Sequence, residues 1–179
     1  MSHKFQKLKL EELQRVSVQK FKEQQKLPVV IILDNIRSMH NVGSVFRTAD
    51  SFNIKKIYLC GITPKPPHRE IHKTALGATE SVDWEYKSSI IEVINQLKEQ
   101  NYSIYAVEQV THSLSLENIS INPSESYALI VGNEVEGVSY EALELAHQCI
   151  EIPQEGTKHS LNVSVCAGII LWEFYKKLT

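Results

Sequence analysis

Short apolar runs alternate with longer helix-like stretches along most of this 179-residue chain, and this alternation limits its fold more than any other feature. The run at residues 28–33 is β-branched and unbroken by charge, as expected of a strand buried on both faces. Strands that alternate with helices predict an α/β fold in which a mostly parallel sheet carries helices on both faces. Further strands are predicted at residues 56–60, 103–107, 127–131 and 149–152, and helices at residues 42–49, 68–77, 89–100, 139–147 and 161–178.

Serine residues precede two of these helices. Ser89 and Glu92 have the spacing of a capping box, and Ser139 stands where its side chain can cap the following helix. We therefore expect both serines to hydrogen-bond the first turn of their helices.

Residues 1–27 form a basic segment ahead of the first strand. They hold seven basic and three acidic side chains, a net charge of +4, while the whole chain carries −2 and the remainder therefore −6. The segment is predicted to be a basic amphipathic N-terminal helix, which either tracks a phosphate backbone or packs on the domain through Leu10, Leu13 and Phe21. The basic residues are Lys4, Lys7, Lys9, Arg15, Lys20, Lys22 and Lys26, and a second cluster comprises Lys65, His68, Arg69, His72 and Lys73.

Residues 28–179 are expected to form a single domain with its own core. The composition, 42% hydrophobic and 22% charged, is that of an ordinary soluble protein. Cys60, Cys149 and Cys166 are widely spaced, which argues against a zinc ribbon or a disulfide framework and favours a reducing cytoplasm. No apolar run approaches the roughly 20 residues of a membrane span, so we expect a soluble, unprocessed protein.

Polar residues follow three predicted strands, at residues 34–47, 132–137 and 152–162. The carboxyl ends of parallel strands lie at one edge of a sheet, and the crevice there is the usual ligand site in open α/β folds. Gly132 allows close backbone approach and Glu134 adds an acceptor beside it, while Ser160 and Asn162 lie at a helix start. The three segments are therefore expected to converge on one site.

In the first segment, Gly43 and Arg47 are four residues apart and share one helix face. Helical side chains lean toward the N-terminus, so we expect Arg47 to extend over the space that Gly43 leaves empty and to reach toward Asn41. Free N–H groups at the helix start add positive potential. This pattern predicts a site for an anionic or polar ligand.

These blocks resemble the three motifs of the SpoU (TrmH-like) ribose 2′-O-methyltransferases of the SPOUT superfamily. N-x-G-x-x-x-R-T-A stands at residues 41–49, G-x-E at residues 132–134, and I-P-x-x-G followed by S-L-N-V-S at residues 152–164. The resemblance spans residues 28–174 and implies an α/β fold with a deep C-terminal trefoil knot, an S-adenosylmethionine (AdoMet) site within the knot and a homodimeric active site. One departure is the turn at Val138 and Ser139, where many relatives have glycine, and we expect it to alter the loop without altering the chemistry.

The resemblance also implies roles for individual residues. Arg47 is similar to the arginine that engages the ribose 2′-hydroxyl, and an electrostatic role suits it because arginine is effectively never deprotonated. The proton would then pass to an RNA phosphate or to Glu134. Around Arg47 the resemblance groups Asn41, Glu134, Ser160 and Asn162, and it assigns cofactor contacts to Gly132, Ile152, Leu161 and, at the end of its strand, Val107.

The terminal helix is apolar almost all round over residues 163–174, apart from Ser164 and Glu173. Such a helix is buried on several sides, either against a second subunit or within its own core. RNA is the implied partner, and tRNA is preferred to rRNA because the chain lacks a separate large RNA-binding domain. A catalytically inactive RNA-binding or RNA-chaperone dimer, and the same methyl transfer on rRNA, remain the alternatives.

Other enzyme classes lack their motifs in this chain. There is no G-x-G-x-x-G after a strand, no P-loop and no G-x-S-x-G nucleophile elbow. His68 and His72 have the spacing of a zinc-binding helix, but Glu70 is displaced from the H-E-x-x-H position. No catalytic metal is expected.

Overall fold

The computed structural model of the chain describes residues 5–13 and 15–179. Its strands are β1 (Leu27–Asp34), β2 (Ile54–Cys60), β3 (Trp84–Lys87), β4 (Tyr102–Val107), β5 (Leu114–Ser115), β6 (Ser126–Val131) and β7 (Gln148–Glu151). Its α-helices are α1 (Val18–Glu23), α2 (Met39–Ser51), α3 (Arg69–Ala75), α4 (Ala78–Ser81), α5 (Ile90–Glu99), α6 (Tyr140–Leu145) and α7 (Val163–Leu178). The strands form one sheet in the order β3-β2-β1-β6-β4-β7-β5, and every pairing is parallel.

Two apolar layers cover the faces of this sheet. Along β1, alternate side chains enter opposite layers: Val29, Ile31 and Leu33 join α2, α3 and α7, whereas Val30 and Ile32 join α5 and α6. All five are fully or almost fully buried, and each contributes about 1.5–3 kcal/mol to stability. The predicted parallel sheet with helices on both faces is confirmed.

The carboxyl ends of the central strands align at one edge of the sheet. Asp34 pairs with Cys60, and Val131 lies opposite both Leu33 and Val107. The segments that follow β1, β6, β4 and β7 therefore start side by side. This register brings together stretches of chain that are about 100 residues apart in sequence.

The sequence prediction missed the outer strands β3 and β5 and the short helix α4. β3 lies at the edge of the sheet and is half-buried throughout, and it carries Glu85 and Lys87, so it lacks a continuous apolar run. The functional helices also differ in their bounds. α2 begins earlier than predicted because Ser38 caps it by accepting the Asn41 N–H, and α7 begins later because Asn162 is its N-cap.

The prediction that Ser89 and Ser139 cap their helices through side-chain hydrogen bonds was wrong. Ser89 and Ser139 stand at the N-cap positions of α5 and α6, but neither side chain makes a capping hydrogen bond. The Ser139 N–H instead donates to Asp34 Oδ2 at 2.8 Å, which draws the start of α6 toward β1. The Ser139 hydroxyl oxygen is buried without a hydrogen-bond partner among the residues that the structure describes.

The N-terminal segment contains two short helices in place of the single predicted helix. A 3₁₀ helix spans Leu10–Leu13, residues 15–17 are not helical, and α1 follows. Phe21 is buried, as in the alternative in which the segment packs on the domain, whereas Leu13 is exposed. Lys26 Nζ donates to Phe21 O at 2.5 Å and to Asn53 Oδ1 at 3.0 Å. Residues 1–4 and 14, and the Leu10 side chain, lie outside the described part of the chain. None of the described helices is both long and apolar enough to span a membrane.

Candidate active site

The Glu134 carboxylate joins the loop after β6 to the loop after β1. Its Oε2 accepts the Arg37 N–H at 2.9 Å, and its Oε1 accepts the Ser38 N–H at 3.1 Å and the Asn41 side-chain amide at 2.9 Å. Ser38 is the N-cap of α2, so the carboxylate lies at the N-terminal end of this helix, where negative charge is stabilised. Glu134 and Asn41, predicted from separate motifs, are in direct contact.

Asn162 extends the same network to the third motif. Its Nδ2 donates to Asn41 Oδ1 at 3.2 Å, while its Oδ1 accepts the Ser164 N–H at 2.9 Å and the Ser164 hydroxyl at 2.7 Å. One continuous chain of hydrogen bonds therefore runs from Glu134 through Asn41 to Asn162. It fixes the ends of three strands relative to one another.

A cavity of about 460 Å³ opens beside this network, between the ends of β6, β4 and β7. Its volume lies in the range of small-molecule sites, roughly 300–1,000 Å³. The wall combines apolar side chains with the backbone of two loops. All four residues predicted to contact a cofactor line it, together with three of the predicted catalytic residues: Val107, Gly132, Ile152, Leu161, Glu134, Ser160 and Asn162.

The glycines of the second motif let its loop fold tightly against this cavity. Asn133 and Gly137 exchange N–H to carbonyl hydrogen bonds of 2.9 and 3.0 Å. A Cβ on Gly132 would lie 2.1 Å from both the Gly137 carbonyl carbon and the Val138 nitrogen, which no side chain could occupy. Gly137 has a φ of 71°, in the left-handed region that glycine adopts readily.

Two opposing effects set the pKa of Glu134. Burial alone would raise it, but hydrogen bonds from the Arg37 N–H, the Asn41 side chain and nearby backbone N–H groups outweigh burial and lower the pKa. The group is therefore ionised at neutral pH. Its role in this geometry is to hold Asn41 and the start of α2 in position.

Arg47 lies apart from the cavity beside Glu134, contrary to the prediction that it reaches toward Asn41. The two residues are six positions apart on α2, which puts them on different faces and about 9 Å apart along the helix axis. The space beside Gly43 is filled by α3, since a Cβ there would lie 2.1 Å from Thr74 Oγ1 and 2.3 Å from Ile71 O.

The Arg47 side chain is exposed and makes no hydrogen bond or ion pair within residues 5–13 and 15–179. It lines a second cavity, of about 640 Å³, between α2, the N-terminal segment and α4. Ser160 is also exposed, and its hydroxyl has no partner in the described chain. A single protomer thus brings Asn41, Glu134, Ser160 and Asn162 to one place and leaves Arg47 elsewhere.

Glu108 and Gln109 were not predicted as site residues. They join the end of β4 to the loops after β6 and β7. Glu108 Oε2 accepts the Val138 N–H at 2.9 Å, and Gln109 Nε2 donates to the His159 carbonyl at 3.2 Å. Both residues line the 460 Å³ cavity. The strand-end rule would have identified them, because they directly follow a predicted strand.

His68 and His72 both have partners within α3 and α4. His68 Nδ1 accepts the Glu70 N–H at 3.2 Å as the N-cap of α3, and His72 Nδ1 lies 3.5 Å from Thr79 Oγ1. Among the described residues, no cluster of three or more His, Cys, Asp or Glu side chains could hold a metal ion.

The sequence profile of the SpoU rRNA Methylase family matches residues 28–172, which is most of the chain. The chain belongs to this family. The match covers all three motif segments and the whole parallel sheet except the first residue of β1.

Individual relatives support the same assignment. The 23S rRNA (guanosine-2′-O-)-methyltransferase RlmB of Neisseria meningitidis is 31% identical over 150 residues, which are 82% of this chain and 57% of that protein. The chain spans less than two thirds of the length of the curated relatives that it matches.

Two solved structures share the fold. The TrmH/SpoU tRNA modifying enzyme of A. aeolicus superposes with a TM-score of 0.79 at 26% identity, covering 89% of this chain and 80% of that one. The AdoMet-bound rRNA methyltransferase of Sinorhizobium meliloti gives 0.80 at 26% identity, covering 87% of this chain and 58% of that one.

Proposed function

We propose that this protein transfers a methyl group from AdoMet to the ribose 2′-hydroxyl of an RNA nucleotide, with tRNA as the substrate. The observation that carries the proposal is the Glu134–Asn41–Asn162 network on the wall of the 460 Å³ cavity, in a chain of the SpoU family. Its relatives include an enzyme named for 2′-O-methylation of rRNA, an AdoMet-bound rRNA methyltransferase and a tRNA modifying enzyme.

The cavity suits AdoMet in size and in the chemistry of its wall. Val107, Ile152 and Leu161 offer apolar surface for an adenine ring, and the strand ends beside them supply backbone donors and acceptors. When bound, AdoMet supplies the electrophilic methyl group. The contribution of this chain is to hold the donor and the ribose at a near-attack distance and to exclude water.

Glu134 is better suited to positioning than to accepting the proton. Its pKa is held low, and both of its oxygens already accept hydrogen bonds, Oε2 from the Arg37 N–H and Oε1 from Ser38 and Asn41. Arg47 polarises the 2′-hydroxyl and stabilises the developing alkoxide, while an RNA phosphate takes the proton. Ser160, whose hydroxyl has no partner in the described chain, is available at the cavity mouth to contact the ribose.

The proposed active site is composite and needs two protomers. Arg47 lies outside the cavity of its own chain, so a second copy must supply the arginine that faces each cavity. α7 carries an exposed apolar stripe for such a contact: Val165, Ile169 and Trp172 are 52%, 38% and 50% exposed, at the spacing of one helix face. We propose that two copies pair through this stripe.

The proposal extends to the arrangement of the chain. Residues 28–179 form the methyltransferase domain with a C-terminal trefoil knot around the cofactor, and residues 1–27 form an extension that contacts RNA. The knot is supported by the resemblance of the three motifs to those of the SPOUT superfamily, in a chain of the SpoU family. The RNA contact is supported by the positive charge of the extension.

Incubation of the protein with methyl-labelled AdoMet and either bulk tRNA or ribosomal RNA tests the activity. We expect label in tRNA, in a dinucleotide that resists alkaline hydrolysis because its 2′-oxygen is methylated. Label in rRNA alone would transfer the proposal to that substrate. RNA binding without label on any RNA would identify an inactive RNA-binding dimer instead.

A further inference from the structure

Glu108 directly follows β4 and presents a fixed carboxylate to the 460 Å³ cavity. Its Oε2 accepts the Val138 N–H at 2.9 Å, and its Oε1 accepts the Gln109 N–H at 2.9 Å. The two oxygens are thus held by different loops. The motifs at residues 41–49, 132–134 and 152–164 do not include this residue.

The Glu108 charge has no cationic partner within the described part of the chain, although the side chain is half-buried. Its field reaches the cavity wall. Burial and, to a smaller extent, the negative charge of Glu108 together raise the pKa of the Cys166 thiol to about 11. Cys166 lines the same cavity.

A carboxylate has about four acceptor positions on its two oxygens, and the hydrogen bonds of Glu108 to Val138 and Gln109 use two of them. The remaining positions accept no hydrogen bond from the described residues. Val107 and Ile152, which line the same cavity, are apolar and cannot donate, so a hydroxyl group of a bound ligand can donate to Glu108 in place of water. In open α/β sheets, an acidic residue near the carboxyl end of a strand commonly accepts hydrogen bonds from ribose hydroxyls.

We propose that the Glu108 carboxylate accepts a hydrogen bond from a ribose hydroxyl of the adenosyl donor and thereby selects a ribonucleoside ligand. This inference rests on the proposed function, because it presumes that the cavity binds AdoMet. The cavity mouth holds other acids, Glu136 and Glu151, but neither carboxylate makes a hydrogen bond within the described residues. Glu108 alone among the three is oriented by two N–H donors.

Calorimetric titration of the full chain with uncharged ligands tests this inference. The ligands are 5′-methylthioadenosine and its 2′-deoxy and 3′-deoxy counterparts, with S-adenosylhomocysteine and AdoMet as charged reference ligands. The proteins are the wild type, Glu108→Gln, Glu108→Ala and the control Glu136→Gln. Neutral ligands remove any attraction between the carboxylate and a sulfonium or ammonium group. Glu136→Gln removes one negative charge from the same cavity mouth without removing a carboxylate hydrogen bond.

We expect the wild type and Glu136→Gln to bind the ribonucleoside about tenfold more tightly than at least one deoxy counterpart, the typical effect of a hydrogen bond to a charged group. The affinity ratio of the ribonucleoside to that deoxy counterpart should fall to about one in Glu108→Ala and to an intermediate value in Glu108→Gln. The ratio isolates the ribose contact, because a shifted Val138 loop would weaken all three ligands equally. If Glu108→Ala does not fold, Glu108→Gln alone decides the question.

An unchanged affinity ratio in both Glu108 variants would overturn the inference. Glu108 would then only hold the Val138 loop in position. Loss of binding to S-adenosylhomocysteine alone, with methylthioadenosine unaffected, would also overturn it in favour of an ammonium contact. Absence of binding of every adenosyl ligand, AdoMet included, to the wild type would instead contradict the proposed function. The two failures are therefore distinguishable.

Discussion

The Glu134 carboxylate accepts three hydrogen bonds from residues at the start of α2. A residue of the second motif therefore holds the first motif in place. The same contacts lower its pKa in the folded protein, against the effect of burial. A carboxyl group with a depressed pKa stabilises the fold above its unfolded pKa, near 4.5, and loses that contribution as the pH falls through its lower folded pKa.

Glu134→Gln should therefore reduce stability in a pH-dependent way. At pH 7 we expect a loss of about 1–3 kcal/mol in the free energy of unfolding, because an amide cannot accept all three hydrogen bonds and carries no charge. The difference from the wild type should shrink below pH 4.5, the ordinary value for this group. Urea unfolding at pH 7 and at pH 3.5 measures both quantities. An equal difference at the two pH values would show that the charge of Glu134 is not involved.

Arg47→Ala should abolish most activity and leave stability unchanged. The side chain is exposed and unpartnered in the described chain, so its removal costs the fold little. Loss of electrostatic stabilisation of the alkoxide should lower kcat by roughly 10²–10³-fold, and Arg47→Lys should keep part of the activity. Methyl transfer and thermal unfolding are measured together, with Lys98→Ala on α5 as the matched control. Methyl transfer at the wild-type rate in Arg47→Ala would remove Arg47 from the mechanism.

Among the structural elements at the site, the loop after β6 is tightly folded, because the backbone of residues 137–138 occupies the space that a side chain at Gly132 would need. This loop also supplies Glu134 and borders the cavity. Its conformation is therefore linked to both the hydrogen-bond network and the 460 Å³ cavity.

Gly132→Ala should destabilise the protein by about 1–3 kcal/mol, since the backbone of residues 137–138 must move to admit the methyl group. The same movement should weaken AdoMet binding measurably. Gly156→Ala is the matched control, because nothing lies within 4 Å of a Cβ at that position. Thermal unfolding and calorimetry of the two variants provide the comparison. Equal stability of the two variants would mean that the loop relaxes at no cost.

The N-terminal segment presents basic side chains at the protein surface. Arg15, Lys20 and Lys22 are exposed and have no side-chain partner in the described chain, whereas Phe21 beside them is buried. Replacing the three cations with glutamine should weaken RNA binding and flatten its salt dependence, by about 0.7–0.9 in log–log slope for each phosphate that the segment no longer neutralises. The core packing of Phe21 is preserved, so stability should not change. If the triple variant and the wild type showed the same salt dependence of RNA binding, the segment would serve only to pack on the domain.

The proposed dimer rests on two features of the molecule, the exposed stripe of α7 and the position of Arg47 away from the 460 Å³ cavity. Trp172, which belongs to the stripe, packs its ring against those of Phe52 and Tyr175, and the three centroid separations are 5.4–5.8 Å. Exposed apolar surface of this kind suits association between copies.

Val165→Asp should convert a dimer into a monomer of 20.4 kDa. The new charge would be buried in the contact, but near the start of α7 it does not disfavour the helix. Ile91→Asp is the matched control, being 39% exposed and near the start of α5. Light scattering measures the mass. The monomer should lose methyl transfer and still bind AdoMet, because the cavity lies within one chain, and a wild-type protein of monomeric mass would contradict the dimer.

The sequence determined the parallel sheet and the meeting of Asn41, Glu134 and Asn162. Strand periodicity and parallel order are enough to put the residues after β1, β6 and β7 at one edge, wherever each strand lies in the sheet. It also indicated α7 as a helix with too much apolar surface for one partner.

The surroundings of each side chain, in contrast, depend on how distant elements pack. α3 fills the space beside Gly43, which excludes Arg47 from it. The Glu108 carboxylate is held by the Val138 N–H of the loop after β6 and by the adjacent Gln109 N–H. Local spacing determines which residues share a face of one element. Which other element covers that face depends on strand order and packing between segments distant in sequence, and a pattern within one segment carries no information about either.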